Sequence, residues 1–212
     1  MKERSDYRSF WRLYLDNYLP DEPVTTDVTL EKPQKSKVGS TILEIFQTLV
    51  MALIFYFLID TFFPRVRVEN ISMKPTLQPG ELLLVNKLAY QLGEPHRGDV
   101  MVFHYPGNPS EDYIKRVIGL PGDEVRIEGG MVYVNGSLLD EPYIAAPPSY
   151  PGVWAVPEDS FFVLGDNRNQ SSDSHSWGFV PLENIVGKAL VVYWPLDQIK
   201  TLYHPLIVNA AN

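Results

Sequence analysis

The pattern of apolar residues along this 212-residue chain changes character at Pro64. Before it, Ile42 to Phe63 form one mostly apolar stretch whose centre, Leu49 to Ile59 (LVMALIFYFLI), holds eleven apolar residues without interruption. About 22 residues at a helical rise of ~1.5 Å cross the ~30 Å hydrocarbon of a bilayer if Glu44, Gln47 and Asp60 sit at headgroup level. A buried core helix is the competing reading, but such helices usually run to about 12 residues. A transmembrane helix is therefore expected over residues 41–63. About 40 residues precede the run and no small-x-small site follows it closely, which predicts a retained anchor and not a cleaved leader. Lys32, Lys35 and Lys37 before the run and Arg65 and Arg67 after it lean only slightly toward a cytoplasmic N-terminus.

Upstream, Tyr7, Phe10, Trp11, Tyr14 and Tyr18 recur at spacings of three and four. That spacing puts an aromatic stripe on one helical face and predicts a short interfacial helix; a tail without such a role is the bland reading. Pro20, Pro23 and Pro33 among polar residues mark Leu19 to Gly39 as a linker, so residues 1–40 are read as tail and linker. Downstream of Pro64 the pattern becomes short β-branched runs. Strands are predicted over Glu81–Val85, Asp99–His104, Tyr113–Leu120, Glu124–Ile127, Met131–Val134, Phe161–Leu164 and Ala189–Trp194. Gly129-Gly130 and Asn135-Gly136 are hairpin turns. With no long amphipathic helix after residue 64, residues 64–212 are expected to form a mainly antiparallel β domain.

Composition narrows the function classes. A net charge of −8 without a clustered Lys/Arg block disfavours nucleic acid as a partner. The absence of cysteine excludes a thiolate nucleophile, a disulfide framework and Cys-ligated zinc. His96, His104, His175 and His204 lack ligand spacing, so no metal site is expected.

Two residues in the β region draw attention as chemistry. Ser72 stands in the turn-prone stretch N-I-S-M-K-P-T-L-Q-P-G; a serine there is most often a cap, and it attacks an amide only with a base beside it. The base is either a histidine held by a carboxylate or a lysine desolvated enough to be neutral. His175 lies near Asp166 and Asp173, but in a polar, Ser-rich loop where a histidine is usually solvated. Lys115 sits in the apolar run Tyr113-Ile114-Lys115-Arg116-Val117-Ile118, where strand alternation groups it with Tyr113 and Val117 and puts Arg116 on the other face. By pattern alone, Lys115 snorkels to solvent from an edge strand. Arg116 stays protonated and is excluded as a base.

Four stretches in order, SMKPTL from Ser72, RGDVMVF from Arg97, YIKRVIGLPGD from Tyr113 and GDNRNQSSDSHSWGFVP from Gly165, follow the apolar run. Together they resemble bacterial type I signal peptidases over about residues 41–195. The resemblance implies a largely antiparallel β catalytic domain on the extracytoplasmic face of a membrane, anchored by one helix. It implies Ser72 as nucleophile, Lys115 as general base and the Ser72 backbone N–H as an oxyanion donor. Ser171 matches a serine that orients the lysine, Asp166 and Asp173 match supporting carboxylates, and Arg116 matches a structural arginine. Two positions depart from the family. Asn70 stands where many members carry a serine that donates to the oxyanion, and its carboxamide is the expected replacement. Asp173-Ser174-His175 replaces Asp-Ser-Arg, so an arginine salt bridge becomes pH-dependent or is lost.

The implied partners are signal peptides of exported preproteins and the lipid bilayer. The mechanism calls for no cofactor. Small residues at −1 and −3 of the cleavage site suit shallow apolar pockets, for which the resemblance suggests Val66, Val68, Met73, Leu77, Tyr113 and Ile114. Rival readings are a soluble self-cleaving repressor of the SOS type, disfavoured by the membrane span, and an inactive membrane-tethered β domain that binds peptides.

Overall fold

A computed structural model describes residues 12–15 and 37–202. Tyr7, Phe10, Trp11 and Tyr18 of the aromatic stripe and most of the linker lie outside the described residues; 12–15, with Tyr14, form a helical turn, and Lys37 to Gly39, read as linker, are already helical. Contacts group the chain into two units, residues 1–49 and 50–212.

Helix α1 (Lys37–Phe62) contains the apolar stretch. It stops two residues before Pro64, as the steric restriction on the residue before a proline requires. Residues Ser40–Phe62 are long and apolar enough to cross a membrane, and their apolar side chains from Ile42 to Ile59 are exposed. The Thr48 hydroxyl donates to the Glu44 carbonyl at 2.8 Å and the Thr61 hydroxyl to the Phe57 carbonyl at 2.7 Å, so both polar groups are satisfied within the helix. Asp60 pairs with Arg65 at 2.8 Å at the helix end.

Beyond the helix the described residues form twelve strands: β1 (Arg65–Arg67), β2 (Leu82–Asn86), β3 (Val100–Tyr105), β4 (Asn108–Gly119), β5 (Glu124–Glu128), β6 (Met131–Val134), β7 (Ser137–Leu138), β8 (Gly152–Ala155), β9 (Ser160–Leu164), β10 (Val180–Pro181), β11 (Ile185–Trp194) and β12 (Lys200–Thr201). The larger sheet runs β1-β2-β11-β3-β4-β9-β10, with β12 also on β11; the smaller runs β7-β6-β5-β8. Every pairing is antiparallel, and one short helix, α2 (Ser174–Trp177), follows the G-D-N-R loop. The mainly β reading holds. Both hairpin turns form where expected, with positive φ at Gly129, Gly130, Asn135 and Gly136.

Strand β9 is buried on both faces, which its continuous apolar run allows. Phe162 and Leu164 pack with Ile118, Val125 and Val134 between the two sheets. Phe161 and Val163 pack on the opposite side with Met101, Phe103 and Val117. A third core, with Met73, Leu77, Leu83, Val85 and Val102, lies under the segment that carries Ser72.

Candidate active site

Ser72 lies on a turn fixed from both ends. Val68 N–H donates to the Glu81 carbonyl at 2.9 Å, Leu77 N–H donates to the Met73 carbonyl at 2.8 Å, and the Met73 and Leu77 side chains are buried in the core beneath. Lys115 comes from β4, paired with Met101 of β3. These elements bring Lys115 Nζ to 2.9 Å from Ser72 Oγ, while Nζ also donates to the Ile114 carbonyl at 3.1 Å.

The lysine is 4% exposed, so it does not snorkel. Alternation alone left that face open to solvent; the Ser72 turn meets it there, and Gln170 and Ser172 of the loop after β9 border the same cavity. Burial draws its pKa down to about 8, against the charges of Asp173 and Asp166, which favour the ammonium. A substantial neutral fraction near pH 8 and a hydroxyl in hydrogen-bond contact give the pair the means to form an alkoxide-like nucleophile.

Arg116 takes the other face, as alternation predicts, and is fully buried. Its Nε donates to Asp166 Oδ1 at 2.8 Å and its Nη2 to Oδ2 at 2.6 Å; Nη1 donates to the Gly98 carbonyl at 2.8 Å. Thr76 Oγ1 donates to Asp166 Oδ2 at 2.5 Å, so the lysine strand, the G-D-N-R loop and the nucleophile turn meet on one carboxylate. Asp173 is also buried; its Oδ2 accepts from Gly165 N–H at 3.0 Å. Its Oδ1 is 2.6 Å from His175 Nδ1. His175 is therefore not a solvated loop residue: it also stacks on Tyr150, with ring centroids 3.9 Å apart.

Gly165 marks how tightly the loop packs. A Cβ there would collide with Ser171 Oγ and lie 2.5 Å from the Ser72 carbonyl oxygen, which accepts from Asn167 N–H at 3.0 Å. The Ser171 hydroxyl is buried beside it without a hydrogen-bond partner among the described residues, and no bond from Lys115 to it forms.

Two cavities flank the pair. One, of about 450 Å³, is lined by Val66, Val68, Asn70, Ser72, Met73, Tyr113, Ile114 and Lys115 together with Arg67, Glu69 and Ser110 to Asp112. The second, of about 270 Å³, shares Asn70, Ser72, Tyr113 and Lys115. Of the residues expected to line pockets, Leu77 is the exception: it is fully buried in the core and borders neither cavity. Sequence reasoning passed over Thr76, Asn167 and Arg168. Arg168 is buried, donating to Glu141 Oε2 at 2.8 Å and to the Gly165 carbonyl at 3.1 Å, and its place in the G-D-N-R stretch was the available signal.

A buried serine–lysine contact beside a groove, on a β domain that follows an apolar helix, is compatible with a hydrolase site. The family model described as signal peptidase, peptidase S26, matches residues 42–194. Probable signal peptidase I-2 of Synechocystis sp. is 47% identical over 178 residues, 81% of this chain and 82% of that protein. Signal peptidase I of Leptolyngbya laminosa is 45% identical over 178 residues, 80% of this chain and 88% of that protein. A crystal structure of a signal peptidase I from Enterococcus faecalis V583 is 34% identical, with a TM-score of 0.42 over 44% of this chain and 95% of that one. The chain belongs to the signal peptidase family, peptidase S26, and is a membrane-anchored peptidase.

Proposed function

We propose that this chain cleaves N-terminal signal peptides from exported preproteins after small residues at −1 and −3, with Ser72 as nucleophile and Lys115 as general base. The reading rests on one observation above the others, the 2.9 Å contact between Lys115 Nζ and Ser72 Oγ in a site that burial makes basic near neutrality. Neutral Lys115 takes the Ser72 proton as Oγ attacks the carbonyl carbon of the −1 residue. The oxyanion is held by Ser72 N–H and the Asn70 carboxamide. The lysine ammonium then protonates the leaving amine, and the ester left on Ser72 is hydrolysed by a water that Lys115 deprotonates.

Arg116, Asp166 and Asp173 serve as supports, and Ser171 is assigned as an acceptor for a further ammonium hydrogen. Val66, Val68, Met73, Tyr113 and Ile114 form the apolar part of the groove. The outer edges of β1 and of β4 before Arg116 carry no strand among the described residues, which suits an extended peptide laid between them. Residues 1–40 are assigned as tail and linker, 41–63 as the membrane span and 64–212 as an extracytoplasmic peptidase domain.

The test is cleavage of a labelled preprotein by the purified chain in detergent, beside Ser72→Ala and Lys115→Met with folding checked by circular dichroism. Cleavage after a small residue by the parent and none by either folded variant is expected. Full activity in either variant removes it from the dyad.

A further inference from the structure

Tyr113 borders both cavities and carries Lys115 two residues further along the same strand face, with Nζ 5.1 Å from its ring centroid. The direction of this ring therefore sets where the groove ends. Its hydroxyl bonds to Glu111, and its face is covered by another ring. Tyr105, at the end of β3, lies parallel to Tyr113 with centroids 4.5 Å apart and 4° between planes. Local sequence makes room for the stack: a Cβ on Gly107 would lie 2.7 Å from Tyr105 Cζ, so Tyr105-Pro106-Gly107 lets the ring lie flat over the hairpin.

Tyr105 is itself braced. Trp177, the last residue of α2, meets it edge-on at 5.5 Å, and the same indole meets Phe103 at 6.0 Å. Phe103 touches Tyr113 only edge-on, at 6.3 Å. Both geometries are favourable for aromatic pairs, and the stack is the closer of the two, covering a face of the Tyr113 ring. Tyr105 borders neither cavity and is only half-buried.

We propose that Tyr105 is a specificity-determining positioning residue, which holds the Tyr113 ring as a fixed wall so that the groove accepts only small side chains at the cleavage site. This rests on the peptidase reading above. Loss of the stack lets Tyr113 rotate out and lengthens the apolar space, so β-branched residues become acceptable.

The experiment compares kcat/KM for preproteins carrying alanine or valine at −1 and at −3, using the full chain in detergent and its Tyr105→Phe, Tyr105→Leu and Tyr105→Met variants. The valine-to-alanine ratio should rise about tenfold in Tyr105→Leu and Tyr105→Met at one of the two positions and stay at the parent's value in Tyr105→Phe, which keeps the ring. A purely structural role lowers both substrates by one factor and leaves the ratio unmoved. An unmoved ratio in the leucine and methionine variants overturns the proposal, as does a phenylalanine variant that shifts as far as leucine or failure of both non-aromatic variants to fold. A parent that cuts neither substrate overturns the peptidase reading itself, whereas a parent selective for alanine leaves that reading standing whatever Tyr105 does.

Discussion

Arg116 grips both carboxylate oxygens of Asp166 at 2.8 and 2.6 Å, at a point where neither side chain reaches solvent. Asp166→Asn strips the guanidinium of its counter-charge while leaving it buried, a change that costs about 3–5 kcal/mol. At 2–4 °C per kcal/mol for a chain of this size, the melting temperature in detergent should fall by roughly 10 °C. A shift within ~2 °C by circular dichroism would mean that this pair does not carry the fold.

Activity should follow the proton on Lys115. With its pKa drawn to about 8 by burial, the neutral base is lost as pH falls through that value, and kcat/KM should drop tenfold per unit below it. Asp173 raises this pKa, so Asp173→Asn should move the acid limb to lower pH. A limb centred near the ordinary lysine value in the parent, or one moving upward in the variant, would remove Lys115 as the base.

The same burial makes Lys115→Met a stabilising change. The folded-state pKa lies below the unfolded value of 10.5, so the unfolded chain binds more protons and the fold is penalised by about 3 kcal/mol below pH 8. That penalty fades between about 8 and 10.5 and is gone above. Lys115→Met should therefore melt higher than the parent at pH 7, with the gap closing as pH rises through this window. Equal melting temperatures at pH 7 would contradict the desolvated state of the lysine.

Asn70, proposed above as an oxyanion donor, lines both cavities beside Ser72 and is exposed. Asn70→Ala should lower kcat by about 10²-fold with little change in KM. Unchanged turnover would leave the backbone N–H of Ser72 as the sole donor assigned.

Thr76 is the link between the nucleophile turn and Asp166. Thr76→Val leaves that buried carboxylate one donor short, at a cost of about 1–3 kcal/mol, while Thr76→Ser should stay near the parent. Chemical denaturation of the three proteins separates the outcomes; equal stability of valine and serine variants would show the hydrogen bond to be idle.

Strands with clear alternation or a continuous apolar run were legible, β6 lying at Met131–Val134 as expected, whereas β11, expected from Ala189, begins at Ile185. Strand β1, three residues with two arginines, carries no pattern to read, and β4 begins five residues before Tyr113 because its polar Asn108 to Asp112 pair with β3 through the backbone. At the site, alternation told that Lys115 and Arg116 face opposite ways but not that both faces are covered. That depends on turns more than forty residues away in sequence. The meeting of Thr76, Arg116 and Asp166 spans ninety residues and no local spacing encodes it. Tyr105 was invisible for a similar reason, since the stack with Tyr113 exists only once the β3–β4 hairpin closes.

The helix ends at Phe62 and the serine follows at position 72. Even a fully extended chain of that length reaches no more than ~35 Å. With Ser40–Phe62 in a bilayer, as proposed, that tether would act as a ruler that keeps the Ser72 hydroxyl near the lipid. On the proposed reading, a scissile bond adjoining a membrane-inserted apolar segment falls within that reach. Under that proposal the tether would select by distance, before any side chain is tested for size.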